Sequence, residues 1–180
     1  MHYSHLAMKR LVICAILIAL GVILSGLLSI PVLPLGAYTL KIGFGALPTI
    51  VAAVLYGPIY GGMVGAAVDI LQALLFPMGA YIPLYTISGM LLGVLPGLFF
   101  IKKQDPSFLR LLLAISISQI IASVLLNSLW FSLLQGIPYF LIIVPRAINQ
   151  AVMIPIYALL IFLIMRLLKK NAIMPERFKP

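Results

Sequence analysis

Residues 57–83 read GPIYGGMVGAAVDILQALLFPMGAYIP. Glycines at the start, an apolar run and prolines at both edges describe one strongly apolar helix with turns on either side. Near its middle stands a carboxylate, Asp69. The chain holds only three acidic residues, and the other two, Asp105 and Glu176, sit beside basic residues in polar segments. A charge at the centre of a bilayer costs roughly 2.5–3.5 kcal/mol on insertion scales, so an acid kept in such a run marks a functional site.

The rest of the chain places that helix in a membrane. Of 180 residues, 64% are hydrophobic and 8% charged, and the mean hydropathy is +1.24. A soluble globular domain cannot cover its surface with so little charge. The formal net charge of +9 does not indicate nucleic acid, because the basic residues cluster at the ends of apolar runs, as the positive-inside rule expects. Cys14 is the single cysteine, which excludes a disulfide framework and a cysteine metal site within the chain. His2 and His5 precede the first apolar run and read as a solvated tail.

Outward from residue 57, six spans are predicted, at about 11–30, 45–56, 58–76, 84–101, 108–134 and 141–168. They form a single compact bundle, one all-α transmembrane domain over residues 1–180. The basic residues at 9–10, 102–110 and 166–179 then fall on one side, which sets both termini in the cytoplasm. The loop 31–44, PVLPLGAYTLKIGF, lies outside. Its prolines and Gly36 end the first span, and YTLKIGF alternates like a short strand. Lys41 is the only charge there, either a snorkelling anchor or an anion ligand. Gly89, Gly93 and Gly97 recur every four residues and form a close-packing face. So do two pairs in the first span, Ala15 with Ala19 and Gly21 with Ser25. Each pair serves packing within the protein or docking of a partner.

Polar residues gather on three spans. Ser116, Gln119, Ser123, Asn127 and Trp130 lie on one face of an α-helix. Arg146, Asn149, Gln150 and Met153 form a second face, and Asp69, Gln72 and Ala73 a third. Counting a rise of about 1.5 Å per residue, Asp69 lies roughly 12 Å below Pro77, and Asn127, Trp130 and Arg146 within about 10 Å of their outer ends. Groups at such depth face one another or a cavity rather than lipid. Mutual satisfaction would pair Asp69 with Arg146 or Lys41. One acid, two cations, several amides and an indole leave a positive charge over, which favours a cavity open to the outside. Arg146 and Lys41 suit a carboxylate or phosphate, and Trp130, Tyr38, Phe44, Tyr81 and Tyr85 can stack on a planar ring. No catalytic, phosphate-cradling or cofactor motif is present. A stand-alone proton-coupled carrier using Asp69 is an alternative, though no inverted repeat supports it. A structural protein with merely paired polar groups is another.

With these features the chain resembles the S components of energy-coupling factor (ECF) vitamin transporters, in length, in six-span topology and in Ala15-Ile-Leu-Ile-Ala19, which fits the family's A-x-x-x-A docking pattern. Within the family, ALPTIVAAVLYGPIYGGMVGAAVDILQALLFPMGAYIP (46–83) and PRAINQAVMIPIY (145–157) look most like the folate-specific S component. The resemblance implies a multi-pass subunit of a prokaryotic cell membrane that is not itself an enzyme. It implies that Ala15 and Ala19 dock to a transmembrane T component, that two ATPase subunits supply the power, and that the outer loops after the first and third helices cover the site. Folate would offer a donor edge on its pterin to Asp69 or Asn149 and two carboxylates to Lys41 and Arg146. Riboflavin, thiamine, pantothenate and biotin are the family's other substrates.

Overall fold

The structure is a computed structural model. It describes the backbone of residues 2–27, 30–35, 38–76, 81–101 and 106–170, and the side chains from residue 8 onward within these ranges except over 30–42. Six helical rods and one hairpin make up the described residues. In order they are α1 (His2–Gly26), β1 (Ile30–Leu35), β2 (Tyr38–Ile42), α2 (Ala46–Tyr56), α3 (Pro58–Leu75), α4 (Pro83–Leu98), α5 (Phe108–Gln135) and α6 (Tyr139–Lys170).

The first span closes earlier than the apolar run suggests. α1 stops at Gly26, and Ile30, placed in the span by hydropathy, opens β1 instead. Pro31 disfavours the α conformation at the residue before it. The alternation in YTLKIGF does become a strand, with β2 antiparallel to β1 and Pro31 opposite Lys41. The side chains of Tyr38 and Lys41 lie outside the described residues, as do Lys102, Lys103, the loop at 77–80 and the tail beyond Lys170.

Four helices, α1, α3, α5 and α6, are long and apolar enough to cross a membrane. α2 and α4, with 11 and 16 residues, rise only about 16 and 24 Å. α2 tolerates this because most of it is covered by protein, and Ile50, Ala52, Ala53 and Val54 are fully buried. The outer helices expose Leu, Ile and Met along their whole length, including Ile16, Ile59, Met63, Leu74, Leu133 and Val152. Apolar exposure on that scale is the signature of a lipid-facing surface.

One apolar cluster joins α2, α5 and α6 through Ile50, Val54, Leu111, Ile115, Met153, Tyr157 and Ile161, and Phe44 packs against it. A smaller one joins α1, α2 and α3 through Cys14, Val22, Ala52, Val64 and Val68. α3 and α4 meet along glycines. A Cβ on Gly65 would come within 2.1 Å of Gly89 O, and one on Gly93 within 2.0 Å of Gly61 O. No larger residue allows that approach. Gly57, with φ of 95°, makes the sharp turn from α2 into α3, and Pro58 and Pro83 begin α3 and α4 where their missing amide costs nothing.

The two small-residue pairs of α1 part ways. Gly21 and Ser25 face inward, against Val68 and Gly45 respectively. Ala15 and Ala19 are exposed.

Candidate functional site

A cavity of about 200 Å³ lies at the end of the bundle away from Lys9, Arg10, Arg110, Lys169 and Lys170. The α3–α4 seam leads to it. Gly61, Gly65 and Asp69 follow one another at four-residue steps on α3, and the third of these brings a carboxylate to the end of the seam, where it lines the cavity. Asp69 and Gln72 form part of the wall, with Tyr85, Ser88 and Gly89 of α4, Ser123 and Asn127 of α5, Thr49 of α2 and Ser25 of α1.

Asp69 does not pair with Arg146, whose guanidinium lies on α6 against Ser123 O, and a pairing with Lys41 falls outside the described residues. Asp69 Oδ2 accepts a hydrogen bond from Thr86 Oγ1 at 2.6 Å. Tyr81 Oη lies 2.7 Å from the same Thr86 oxygen. A hydroxyl carries one proton, and that of Thr86 goes to the carboxylate, so Tyr81 is the donor in this second bond. The chain Tyr81–Thr86–Asp69 thus fixes one carboxylate oxygen and leaves the other for a further donor. Trp130 Nε1 donates to Ser88 Oγ at 3.1 Å, tying α5 to α4 beside the wall.

The polar face expected along α5 is not continuous. Gln119–Leu126 forms a π-helical segment, and the wider turn breaks the α-helical phase between its two ends. Ser123 and Asn127 line the cavity. Gln119 is fully buried and accepts from Ser123 Oγ at 2.6 Å. Ser116 turns back to its own helix, donating to Leu112 O.

α6 stands behind α5 and does not supply cavity wall. Arg146 Nη1 donates to Ser123 O at 3.3 Å, and the guanidinium sits 5.6 Å from the centre of the Phe131 ring. Asn149 is buried and Gln150 partly so. Phe44 belongs to the apolar core rather than the cavity, because the chain turns inward after β2 and Gly43 O is held by Tyr157 Oη at 2.5 Å.

Sequence reading missed the contribution of α4 beyond Tyr85. Thr86 and Ser88 look unremarkable in an apolar helix. The signal available was spacing, since Tyr85, Ser88, Gly89 and Leu92 stand at offsets of 0, 3, 4 and 7 and share one face. Buried polar atoms without a partner among the described residues include Asn127 Oδ1, Asn149 Oδ1, Gln150 Oε1 and Gln119 Nε2. Of these Asn127 Oδ1 is in the cavity wall, where it and the Asp69 carboxylate are acceptors.

A buried polar cavity at one end of an apolar helical bundle defines a membrane protein that captures a small solute, and the chain belongs to a transport family of that kind: residues 5–168 match the family described as ECF-type riboflavin transporter, S component. Among curated relatives, the folate transporter FolT of Clostridium novyi (strain NT) is 36% identical over 123 residues, covering 68% of this chain and 71% of that one. The riboflavin transporter FmnP of Bacillus subtilis (strain 168) is 29% identical over 140 residues, covering 76% and 67%. A crystal structure of FolT bound with folic acid superimposes with a TM-score of 0.74 at 28% identity, covering 88% of this chain and 93% of that one.

Proposed function

We propose that this chain is the folate-capturing S component of an ECF-type importer. It binds the vitamin from outside and works with a T component and two ATPase subunits, all six helices serving as membrane spans with both termini in the cytoplasm. The observation that carries the reading is the cavity's hydrogen-bonding character. It offers a carboxylate, Asp69, already held by Thr86 at one oxygen, and in the same wall Asn127 Oδ1, buried and without a partner among the described residues. A pterin edge presents adjacent N–H donors, of which the remaining oxygen of Asp69 takes one and an amide oxygen such as Asn127 Oδ1 the next. The position of the cavity, at the end of the bundle opposite the basic residues, supports capture from outside.

Asp69, Gln72 and Asn127 are assigned to the ring, with Tyr85 and Trp130 as its stacking surface. Asn149 and Gln150 lie behind them, and Tyr81, bonded to Thr86, is assigned with Tyr38 to the outer rim. The cavity, about 200 Å³, is smaller than the roughly 300–1,000 Å³ of sites that enclose a whole drug-sized ligand. The ring enters it and the glutamate tail extends toward Lys41, with Arg146 the second cation in reach. The exposure of Ala15 and Ala19 supports their assignment to the T component, since among the described residues nothing covers a strip that permits close helix contact.

The test is titration of purified protein with folic acid and, separately, with riboflavin, after mass spectrometry of whatever co-purifies. Folic acid binding in the nanomolar range with weak riboflavin binding is expected. The reverse order would transfer the same cavity to riboflavin, the reading favoured by the family's description. Ala15→Trp with Ala19→Trp is expected to abolish uptake by the assembled transporter while sparing folic acid binding, and uptake left intact would overturn the docking role.

A further inference from the structure

The wide turn in α5 is held from the side, and its holders are both on α6. In an α-helix the amide of Asn127 would bond Ser123 O, four residues back. Here it bonds Ala122 O, five back. Ser123 O is thereby released from that bond, and it is the atom to which Arg146 Nη1 donates, at 3.3 Å. A second carbonyl of the same segment, Leu125 O, accepts from Tyr139 Oη at 3.4 Å. Tyr139 and Arg146 are seven residues apart, two turns, and so share one face of α6. A cation and a hydroxyl from one helix thus satisfy backbone acceptors in the π segment of another. In lipid that matters more than in water, because no solvent is available to take up a carbonyl that the helix ladder leaves over.

The turn decides what faces the cavity. Each residue of an α-helix adds about 100° of rotation. Were the segment to relax to an α pattern, everything after it would turn by an angle of that order. Asn127, in the cavity wall, and Trp130, bonded to Ser88 of that wall, lie directly after it. Ser123 itself lines the cavity.

The geometry points to Arg146 and Tyr139 as positioning residues: by holding the carbonyls of the π segment they fix the rotation of α5, and through it the aim of Asn127 and Trp130 into the binding cavity. Arg146 therefore acts on the site through the backbone of α5 before it touches any ligand. This rests on the cavity being the ligand site, as proposed above, but not on which vitamin fills it.

Trp130 is the only tryptophan in the chain, so its fluorescence reports the wall directly. The experiment uses purified, ligand-free protein in detergent and compares wild type with Arg146→Met, Arg146→Lys and Tyr139→Phe. It measures Trp130 emission and amide hydrogen exchange in peptides spanning 119–130, followed by folic acid titration. Arg146→Met is expected to shift the emission and to speed exchange in those peptides by about tenfold or more, with peptides of α3 unchanged. Arg146→Lys, which keeps a cationic donor, restores most of both. Tyr139→Phe gives a smaller change in the same peptides. If Arg146→Met does not yield folded protein, Tyr139→Phe decides, since it keeps the bulk of its side chain. Exchange over 119–130 as in wild type in Tyr139→Phe, or in a folded Arg146→Met, would overturn the inference. So would lost folic acid affinity in Arg146→Met with ligand-free emission and exchange as in wild type, because the arginine would then be a direct ligand contact only. Shifted emission and faster exchange in a protein whose wild type ignores folic acid would uphold the inference and refute folate.

Discussion

The α3–α4 seam and the α5–α6 seam bring helices together in lipid by opposite means. Along α3 and α4 the side chains are removed. Gly61, Gly65, Gly89 and Gly93 let backbone meet backbone, and no polar side chain is needed until Asp69. Along α5 and α6 polar side chains are spent, with Arg146 and Tyr139 bonded to carbonyls of an irregular turn and amides buried around it. The first seam tolerates no change in its spacing. The second is held by a few directed bonds, each replaceable. The cavity lies between a wall set by steric exclusion and a wall set by hydrogen bonding.

The contrast can be broken most severely at the glycines. Gly93→Val would set a branched side chain where even a Cβ lies 2.0 Å from Gly61 O. The cost should exceed about 3 kcal/mol, the top of the usual overpacking range, since the obstacle is backbone. The expected outcome is loss of monodisperse protein on size exclusion, and a well-behaved variant would show that the seam can open. Asp69→Asn comes next. It keeps the shape and the acceptor for Thr86 but removes the charge, and folic acid affinity should fall by about 10- to 100-fold with little change in melting temperature. Thr86→Val removes the bond that orients that carboxylate but leaves the carboxylate itself in place, and a loss of about fivefold in affinity is expected in the same titration. Ser116→Ala should do least. Its hydroxyl returns to Leu112 O within α5, so stability should stay within about 0.5 kcal/mol and affinity should not move. A strong effect there would restore the single polar face that the π turn interrupts.

How much of this was legible beforehand varies with the kind of information each feature needs. The membrane bundle follows from composition alone, and the glycine seam from a four-residue repeat, because both are properties of residue type and period. Asp69 could be placed in a cavity wall because a lone acid in hydrocarbon has few other tolerable positions. The two small pairs of α1 show a limit. Ala15 and Gly21 are six residues apart, about 120° away from one another on a helix, so the pairs could be seen to face differently. Only packing tells which one looks inward. Thr86 was hidden because a threonine in an apolar helix usually satisfies itself on its own backbone. The π turn carries no propensity signal, and with it went the true aim of Gln119 and Ser116. Arg146 was read by its charge as a ligand group, and its bond to Ser123 O, a carbonyl released by the wide turn, has no counterpart in residue type or period.

The unequal lengths of the helices bear on how the protein sits in its bilayer. α4 rises about 24 Å and exposes Ile87, Met90 and Leu98, whereas α6, with 32 residues, rises about 48 Å. Hydrocarbon about 30 Å thick matches neither side. Lipid must thin beside α4, or the body must lean until the long helix lies more obliquely, at a cost of a fraction of a kcal/mol per Å of mismatch. The resting attitude of the subunit is therefore a property shared with its membrane, and acyl chain length is a handle on it that leaves every residue of the protein untouched.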